Sequence, residues 1–323
     1  MARRAGAPDW SRALSAGLAG LAWESEDLGA TDEEVREAVR RASGASGLIV
    51  VGGDGSLSLV TSAMVELGLA DRLPVGLVPG GTCNDVARSL GIPRPTAGDL
   101  DGWAGVVRGA ATGPARAIDL GRVNDRAFIN HAGIGRDSPT YERLARRKAW
   151  LRRVRLPGPL VSLVHSLETA LRFRSIRCAV TLDGRRLGDR ELYMALALNG
   201  PYFSGGLSVT TDTDMADGLL DFALVHAAGK ARLLRWLAAA TVSSPRPHRG
   251  RGKGEGDFIE ILRGRRLTLD TESPVWPQHD GEPPEPEGVR RVRFEIHPAK
   301  LRVRVISWLR GDPGVVGRGE APS

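Results

Sequence analysis

Three short stretches of the 323-residue chain carry residue types that could do chemistry together. The first is Gly52-Gly53-Asp54-Gly55-Ser56-Leu57-Ser58. Glycine allows close backbone approach and positive φ at no steric cost. The N–H groups at the start of a following helix then point at an anion, which suits a phosphate. Asp54 would repel that phosphate unless a cation sat between them. It therefore reads as serving a nucleotide with its Mg²⁺, directly or through water. Taken alone, the stretch is equally an ordinary turn between a strand and a helix.

The second stretch is Asp280-Gly281-Glu282, within PQHDGEPP. Prolines on both sides fix the backbone and the glycine lets it turn sharply. Two acids on a rigid loop beside a phosphate cleft suit a general base, because phosphoryl transfer to an alcohol needs an acceptor for the hydroxyl proton. Without such a cleft, the loop is a surface hairpin with its acids outward. The third stretch is the acid-rich run from Asp212 to Asp221, DTDMADGLLD. Asp214 and Asp217, with Gly218 after the second, could wrap one hard cation through carboxylates and backbone carbonyls. The spacing is not that of an EF-hand, and a turn capped by aspartates is the alternative.

The flanking pattern supplies the elements that must hold these groups. Leu48–Val51 is an apolar run that reads as a buried strand, and Leu57, Val60, Met64 and Leu67 mark a helix face reaching about Leu69. Leu73–Val78 is a second strand, running into Pro79-Gly80-Gly81-Thr82-Cys83-Asn84-Asp85 and a second helix start. Thr82 can donate to a phosphate, whereas Asn84 and Asp85 read equally as helix caps or as ligands. Two strand–turn–helix units in succession predict a parallel α/β arrangement, with both loops at the carboxyl ends of their strands and lining one crevice. Upstream, Asp9–Leu21 reads as a helix and Ala22–Glu24 as a short strand. Thr31–Glu34 is a capping box opening a helix through Arg41.

After a bend at Pro93, Pro95 and Gly98, a short helix at Trp103–Arg108 and a small-residue linker at Gly109–Ala115, the pattern changes. Ala117–Leu120, Arg126–Ile129, Arg177–Leu182, Leu192–Leu198, Leu219–Val225, Asp257–Ile261, Arg266–Asp270, Val289–Ile296 and Leu301–Ile306 are β-like runs. They predict a mostly β second half, with Asp183-Gly184 as a hairpin turn. A helical insert at Tyr141–Arg174 and a helix near Ala231–Ala240 interrupt it. The Gly/Pro-rich tail from Gly311 reads as disordered.

Composition sets bounds. The net charge of +7 suits an anionic partner, and the aromatic content of only 5% argues against base-stacking platforms for single-stranded nucleic acid. The two cysteines, Cys83 and Cys178, allow neither a disulfide framework nor a zinc spacing, which fits a reducing, cytoplasmic compartment. No stretch reaches the roughly 18 apolar residues of a spanning helix, and the start of the chain does not read as a signal peptide. The insert carries Arg143, Arg146, Arg147, Lys148, Arg152, Arg153 and Arg155 among Trp150, Leu151, Val154 and Leu156. It reads either as a basic amphipathic surface for an anionic bilayer or as a solvated helix face. Pro245–Lys253 is a second basic run and reads as a loop; either run could touch nucleic acid.

Together these motifs resemble the bacterial diacylglycerol kinase-like lipid kinases, the family that includes sphingosine and ceramide kinases. The resemblance lies in VVGGDGSLSLV, VGLVPGGTCNDVARSLGIP, NHAGIG, NGPYFSGG, DTDMADGLLD and the Asp280-Gly281-Glu282 loop, in order from about Ala30 to Ile306. It implies an α/β N-terminal domain of the NAD kinase/phosphofructokinase kind over 1–116, a mostly β C-terminal sandwich over 117–310, and a tail over 311–323. ATP would bind between the two domains, with Gly52–Ser58 and Thr82 on its phosphates. A structural Mg²⁺ would be held by Asp214, Asp217 and the carbonyl of Leu219. Glu282 would accept the proton, with Asp280 supporting it.

The chain departs from the family pattern at its start, where a strand and an Asn-Pro-x-Ser-Gly loop that joins the nucleotide site are expected and not found. Either the start codon is placed too late or part of the ATP site is missing. Ser56, Ser58 and Cys83 stand where threonine, asparagine and glycine are usual, and the proline and alanine common before the metal segment are replaced within Val209–Asp212. The expected activity is ATP- and Mg²⁺-dependent phosphorylation of a lipid hydroxyl such as that of diacylglycerol. It would take place at the inner face of the membrane, peripherally and on an anionic surface, without nucleic acid. A homodimer is compatible with this. The alternatives are a soluble NAD kinase-like enzyme, a non-catalytic lipid- or nucleotide-binding homologue, and, more weakly, a nucleic-acid-binding protein.

Overall fold

The computed structural model describes residues 8–26, 31–135, 175–203, 205–206, 208, 213–227, 229, 231–232, 252–253, 258–282 and 287–304. The helical insert, nearly all of the helix near Ala231–Ala240, most of the Pro245–Lys253 run and the tail lie outside these residues.

The first half is built as the two glycine turns predict. Helix α1 (Trp10–Gly17) and helix α2 (Asp32–Arg41) precede strand β1 (Leu48–Gly52), helix α3 (Asp54–Glu66) and strand β2 (Val75–Pro79). The short helix α4 (Asp85–Ser89) and helix α5 (Leu100–Thr112) follow. Thr31 caps α2 by accepting a hydrogen bond from the N–H of Glu34. Three acids fill the first turn of α2 and two arginines its last, the arrangement the peptide dipoles favour. The stretch Ala22–Glu24 is irregular rather than a strand. Strands β1 and β2 pair in parallel, and Leu57, Met64, Val75, Val78, Trp103 and Val107 form the core between sheet and helices. Gly76 is required there, because a Cβ on it would lie 2.1 Å from the carbonyl oxygen of Ala110.

The second half is mostly β. In order come β3 (Ala115–Val123), β4 (Arg126–Phe128), β5 (His131–Ile134), β6 (Ile176–Leu182) and β7 (Arg185–Leu198). They are followed by β8 (Leu220–His226), β9 (Gly252–Lys253), β10 (Ile259–Gly264), β11 (Arg266–Val275), β12 (Gln278–His279) and β13 (Val289–Arg304). Asp183 and Gly184 both take positive φ in the turn joining β6 to β7, the hairpin geometry expected from the sequence. Strands β5, β9 and β12 are absent from the sequence reading, which takes Gly252–Lys253 as part of a loop. Val289–Ile296 and the described part of the Leu301–Ile306 run, Leu301–Arg304, are read as two runs but belong to one strand with an irregularity between His297 and Leu301. Pro298 sits in that irregularity, where a strand tolerates a residue that cannot donate to the ladder.

The two halves share one sheet. Strand β13 pairs antiparallel with β11 and β3, and at its far end pairs in parallel with β2, with Val303 opposite Val75. Phe128, Phe222, Phe294, Leu267 and Val292 are buried in the core of the second half.

Candidate functional site

The two glycine turns are in direct contact. The parallel register sets Gly52 beside Pro79, and the N–H of Gly80 donates to the Gly52 carbonyl at 2.9 Å. A Cβ on Gly81 would stand 2.3 Å from the Cα of Gly53, so no other residue type fits at that crossing. Helix α3 opens from Gly53 with no side-chain cap, leaving its first N–H groups for another acceptor. Leu57 is buried in the core and Ser56 is exposed at the helix start, as is Thr82 at the second turn. An uncapped helix start walled by two glycine turns fits a phosphate chain.

Side chains lock the turns to each other. Asp54 accepts a hydrogen bond from the N–H of Val86 through Oδ1 at 3.0 Å, joining α3 to α4. Asn84, at φ 53°, accepts from the Gly81 N–H at 2.9 Å and donates to the Gly81 carbonyl at 3.0 Å. Neither Asn84 nor Asp85 caps α4. Asp85 instead reaches the second half of the chain, accepting from the N–H of Gly205 at 2.8 Å. Burial raises its pKa and the charge of Asp54 adds to this, while the Gly205 hydrogen bond, Arg88 and His131 oppose it. Arg88 lies 3.4 Å from Asp85 and stacks 5.5 Å from the ring centroid of Tyr202.

The Asp280-Gly281-Glu282 loop closes onto these turns. Strand β12 pairs with β5, and Asp280 and Gly281 both take positive φ to turn the chain back. The Asp280 carboxylate accepts from the N–H groups of Ile129 (2.7 Å), Asn130 (2.9 Å) and His131 (3.0 Å), and from the Ser58 hydroxyl at 3.5 Å. It is buried and saturated with donors, so its role is to hold the loop. Ser58, expected among the phosphate contacts, is buried and turned onto Asp280. Glu282 is half-buried, with Oε1 3.5 Å from the place a Cβ on Gly55 would take. Burial, then the charges of Asp32 and Asp280, raise its pKa. A carboxylate so placed, beside the start of α3 and more basic than usual, can accept a proton from a hydroxyl delivered to the crevice.

The acid-rich run lies on another part of the β half. Asp119, buried in β3, accepts from the N–H of Gly218 at 2.6 Å and of Ala299 at 2.7 Å, anchoring two turns. Asp214 is exposed, accepts from the Ala216 N–H at 3.0 Å, and lies 3.9 Å from Arg116. Asp217 accepts from the Leu219 N–H through Oδ1 at 2.9 Å, and its Oδ2 is in contact with the guanidinium of Arg263. As placed, this set does not fit a divalent cation. Such an ion wants several oxygens turned towards it, and here both oxygens of Asp217 face N–H donors, one of them on a charged group. Among the described residues no group of three or more His, Cys, Asp or Glu is arranged to hold a metal.

The roles of Asp32, Asp119 and the Asp85–Gly205 contact escaped the sequence reading. A lone acid inside the apolar run Ala117–Leu120 was the one local signal for Asp119. The other two depend on contacts between distant segments.

Residues 18–123 match the model of the diacylglycerol kinase catalytic domain, and residues 141–305 match that of the YegS C-terminal NAD kinase beta sandwich-like domain. The chain is 31% identical over 241 residues to a diacylglycerol kinase of Bacillus subtilis (strain 168), covering 73% of this chain and 70% of the relative. It is 28% identical over 290 residues to a protein of Enterobacter sp. (strain 638) named "Probable lipid kinase YegS-like", covering 88% and 85%. A crystal structure of a diacylglycerol kinase from Bacillus anthracis strain Sterne superposes with a TM-score of 0.63 at 18% identity, covering 93% of each chain.

Proposed function

The chain belongs to the bacterial diacylglycerol kinase-like lipid kinase family, and on that premise we propose that it transfers the γ-phosphate of Mg·ATP to a lipid hydroxyl such as that of diacylglycerol. Gly52, Gly53, Gly55 and Ser56, with the backbone of Asp54 and Leu57, and Thr82 on the facing turn, hold the phosphates. The uncapped N–H groups of α3 stabilise charge as it spreads over the transferred group. Asp54 would hold, directly or through water, a Mg²⁺ accompanying the nucleotide, which would neutralise phosphate charge.

Glu282 accepts the proton as the alcohol oxygen forms its bond to the γ-phosphorus. The bond from that phosphorus to the β,γ-bridging oxygen breaks, and ADP leaves. Asp280 holds the loop, and Asp85 with Arg88 ties the second turn to the segment around Gly205. Such a substrate sits in a bilayer, so the enzyme works at a membrane surface, and a net charge of +7 favours an anionic one. Among the described residues no helix is long and apolar enough to cross it.

The supporting observation is that Glu282 stands beside Gly55, bringing the acid loop to the start of α3. Labelled ATP and mixed diacylglycerol vesicles should give a chloroform-soluble phosphorylated product that disappears in Glu282→Gln. Label appearing in NAD instead would select a soluble kinase. Nucleotide or lipid binding without transfer would select a non-catalytic homologue.

A further inference from the structure

Arg263 occupies a charged position in the β half that the phosphoryl-transfer reading does not use. It lies on β10, opposite Asp221 of β8 in the antiparallel register. Its Nη2 touches Asp217 and its Nε lies 3.8 Å from Asp221 Oδ1. The side chain is 15% exposed, against 6% for Asp221. Nε is buried and, among the described residues, has no hydrogen-bond partner, so an ionic attraction to Asp221 acts on it rather than a donor–acceptor geometry. A buried guanidinium between two carboxylates needs both of them, because removing one charge of such a group leaves the others uncompensated.

We propose that Arg263 is an internal cation. Its guanidinium does, for the loop Asp214–Leu219, what a bound divalent ion would otherwise do. Asp217 presents one oxygen to Arg263 and the other to the Leu219 N–H, so the loop is closed without a metal. From the buried side, Asp119 fixes Gly218, which holds the turn at φ 74°. An incoming ion would have to displace a guanidinium that is nearly enclosed and that lies 3.8 Å from buried Asp221. A fixed positive charge at this place also repels a second one. The inference does not rest on the kinase reading, since it concerns how the loop is held in the absence of nucleotide.

The test is Mn²⁺ binding to the nucleotide-free protein, read by electron paramagnetic resonance, together with thermal unfolding in EDTA and in MgCl₂. The wild-type chain should hold no stoichiometric Mn²⁺ at this loop and should melt at the same temperature in both buffers. Arg263→Met should melt lower in EDTA, recover in MgCl₂, and bind Mn²⁺ at least about tenfold more tightly, because the opposing charge is gone. If Arg263→Met does not fold, the wild type decides alone: one equivalent of bound Mn²⁺ that is lost in Asp217→Asn, or a melting temperature lowered by EDTA and restored by Mg²⁺, would overturn the proposal. The same protein can pass or fail this test whether or not it phosphorylates a lipid.

Discussion

The carboxylate of Asp280 and the hydroxyl of Ser58 meet at 3.5 Å although 222 positions separate them in the chain. Ser58 is on α3, one turn beyond the glycine stretch, and Asp280 opens the acid loop. Their contact brings the acid loop, and Glu282 with it, against α3. The three backbone N–H groups that also bind Asp280 make this position rigid.

Glu282 should show its environment in the pH dependence of turnover. Burial first, then Asp32 and Asp280, raise its pKa. A base works only when deprotonated, so kcat should fall as pH drops through a value above that of an ordinary glutamate. Asp32→Asn removes one of the repelling charges and should move this acid limb to lower pH, leaving the plateau unchanged. Glu282→Gln should lower kcat by about 10²–10⁴-fold while the protein still folds and binds nucleotide. A pH–rate profile of the three proteins is the measurement.

Asp280→Asn should damage stability as well as activity. The amide keeps one acceptor oxygen where the carboxylate serves three N–H donors, at a cost of about 2–4 kcal/mol. Ser58→Ala should cost less than about 1 kcal/mol, because a 3.5 Å hydroxyl contact is long. Urea unfolding of both variants would rank them, and equal costs would mean that the N–H contacts do not anchor the loop.

Gly81→Ala tests the crossing of the two turns. The added methyl would meet the Cα of Gly53 at 2.3 Å, so the turns must part. KM for ATP should rise at least about tenfold, with a stability loss of about 1–3 kcal/mol. Gly98→Ala, where a Cβ would meet nothing within 4 Å, is the control and should change neither.

The two cysteines should react unequally. Cys178 is buried, and burial pushes its thiol up to about 11, so thiolate is scarce at neutral pH. Cys83 is exposed in the second glycine turn. An aromatic disulfide reagent at pH 8 should label one thiol in the folded protein and the second only on unfolding. Because Cys83 lies at the crevice, that first label should lower activity.

Much of this was legible because the signals are local. A strand, a glycine turn and an apolar helix face are set by neighbouring residues, and both turns lie where the pattern places them. The hairpin at Asp183-Gly184 is local in the same way. Strand β5 was missed because HAGI is short and carries a glycine, and it becomes a strand only through pairing with β7 and β12. The break in β13 was over-read, since a proline within a run signals an end unless neighbouring strands hold the run together. At the site, Glu282 and Asp280 could be singled out by residue type. Their different roles came from the family resemblance and not from residue type, since saturation of Asp280 by Ile129, Asn130 and His131 depends on segments about 150 positions away. The guanidinium beside Asp217 comes from β10, about 46 positions on, and is invisible from DTDMADG alone.

Strand β13 lies near the carboxyl end of the chain, yet it pairs with β2 of the first half. During synthesis, residues 48–79 can assemble into parallel strands and helices while this partner is still inside the ribosome. Their sheet then has an unfilled edge until Leu301–Arg304 emerge. The sheet of the first half is thus completed last, and a nascent chain truncated before Leu301 should remain a client of chaperones.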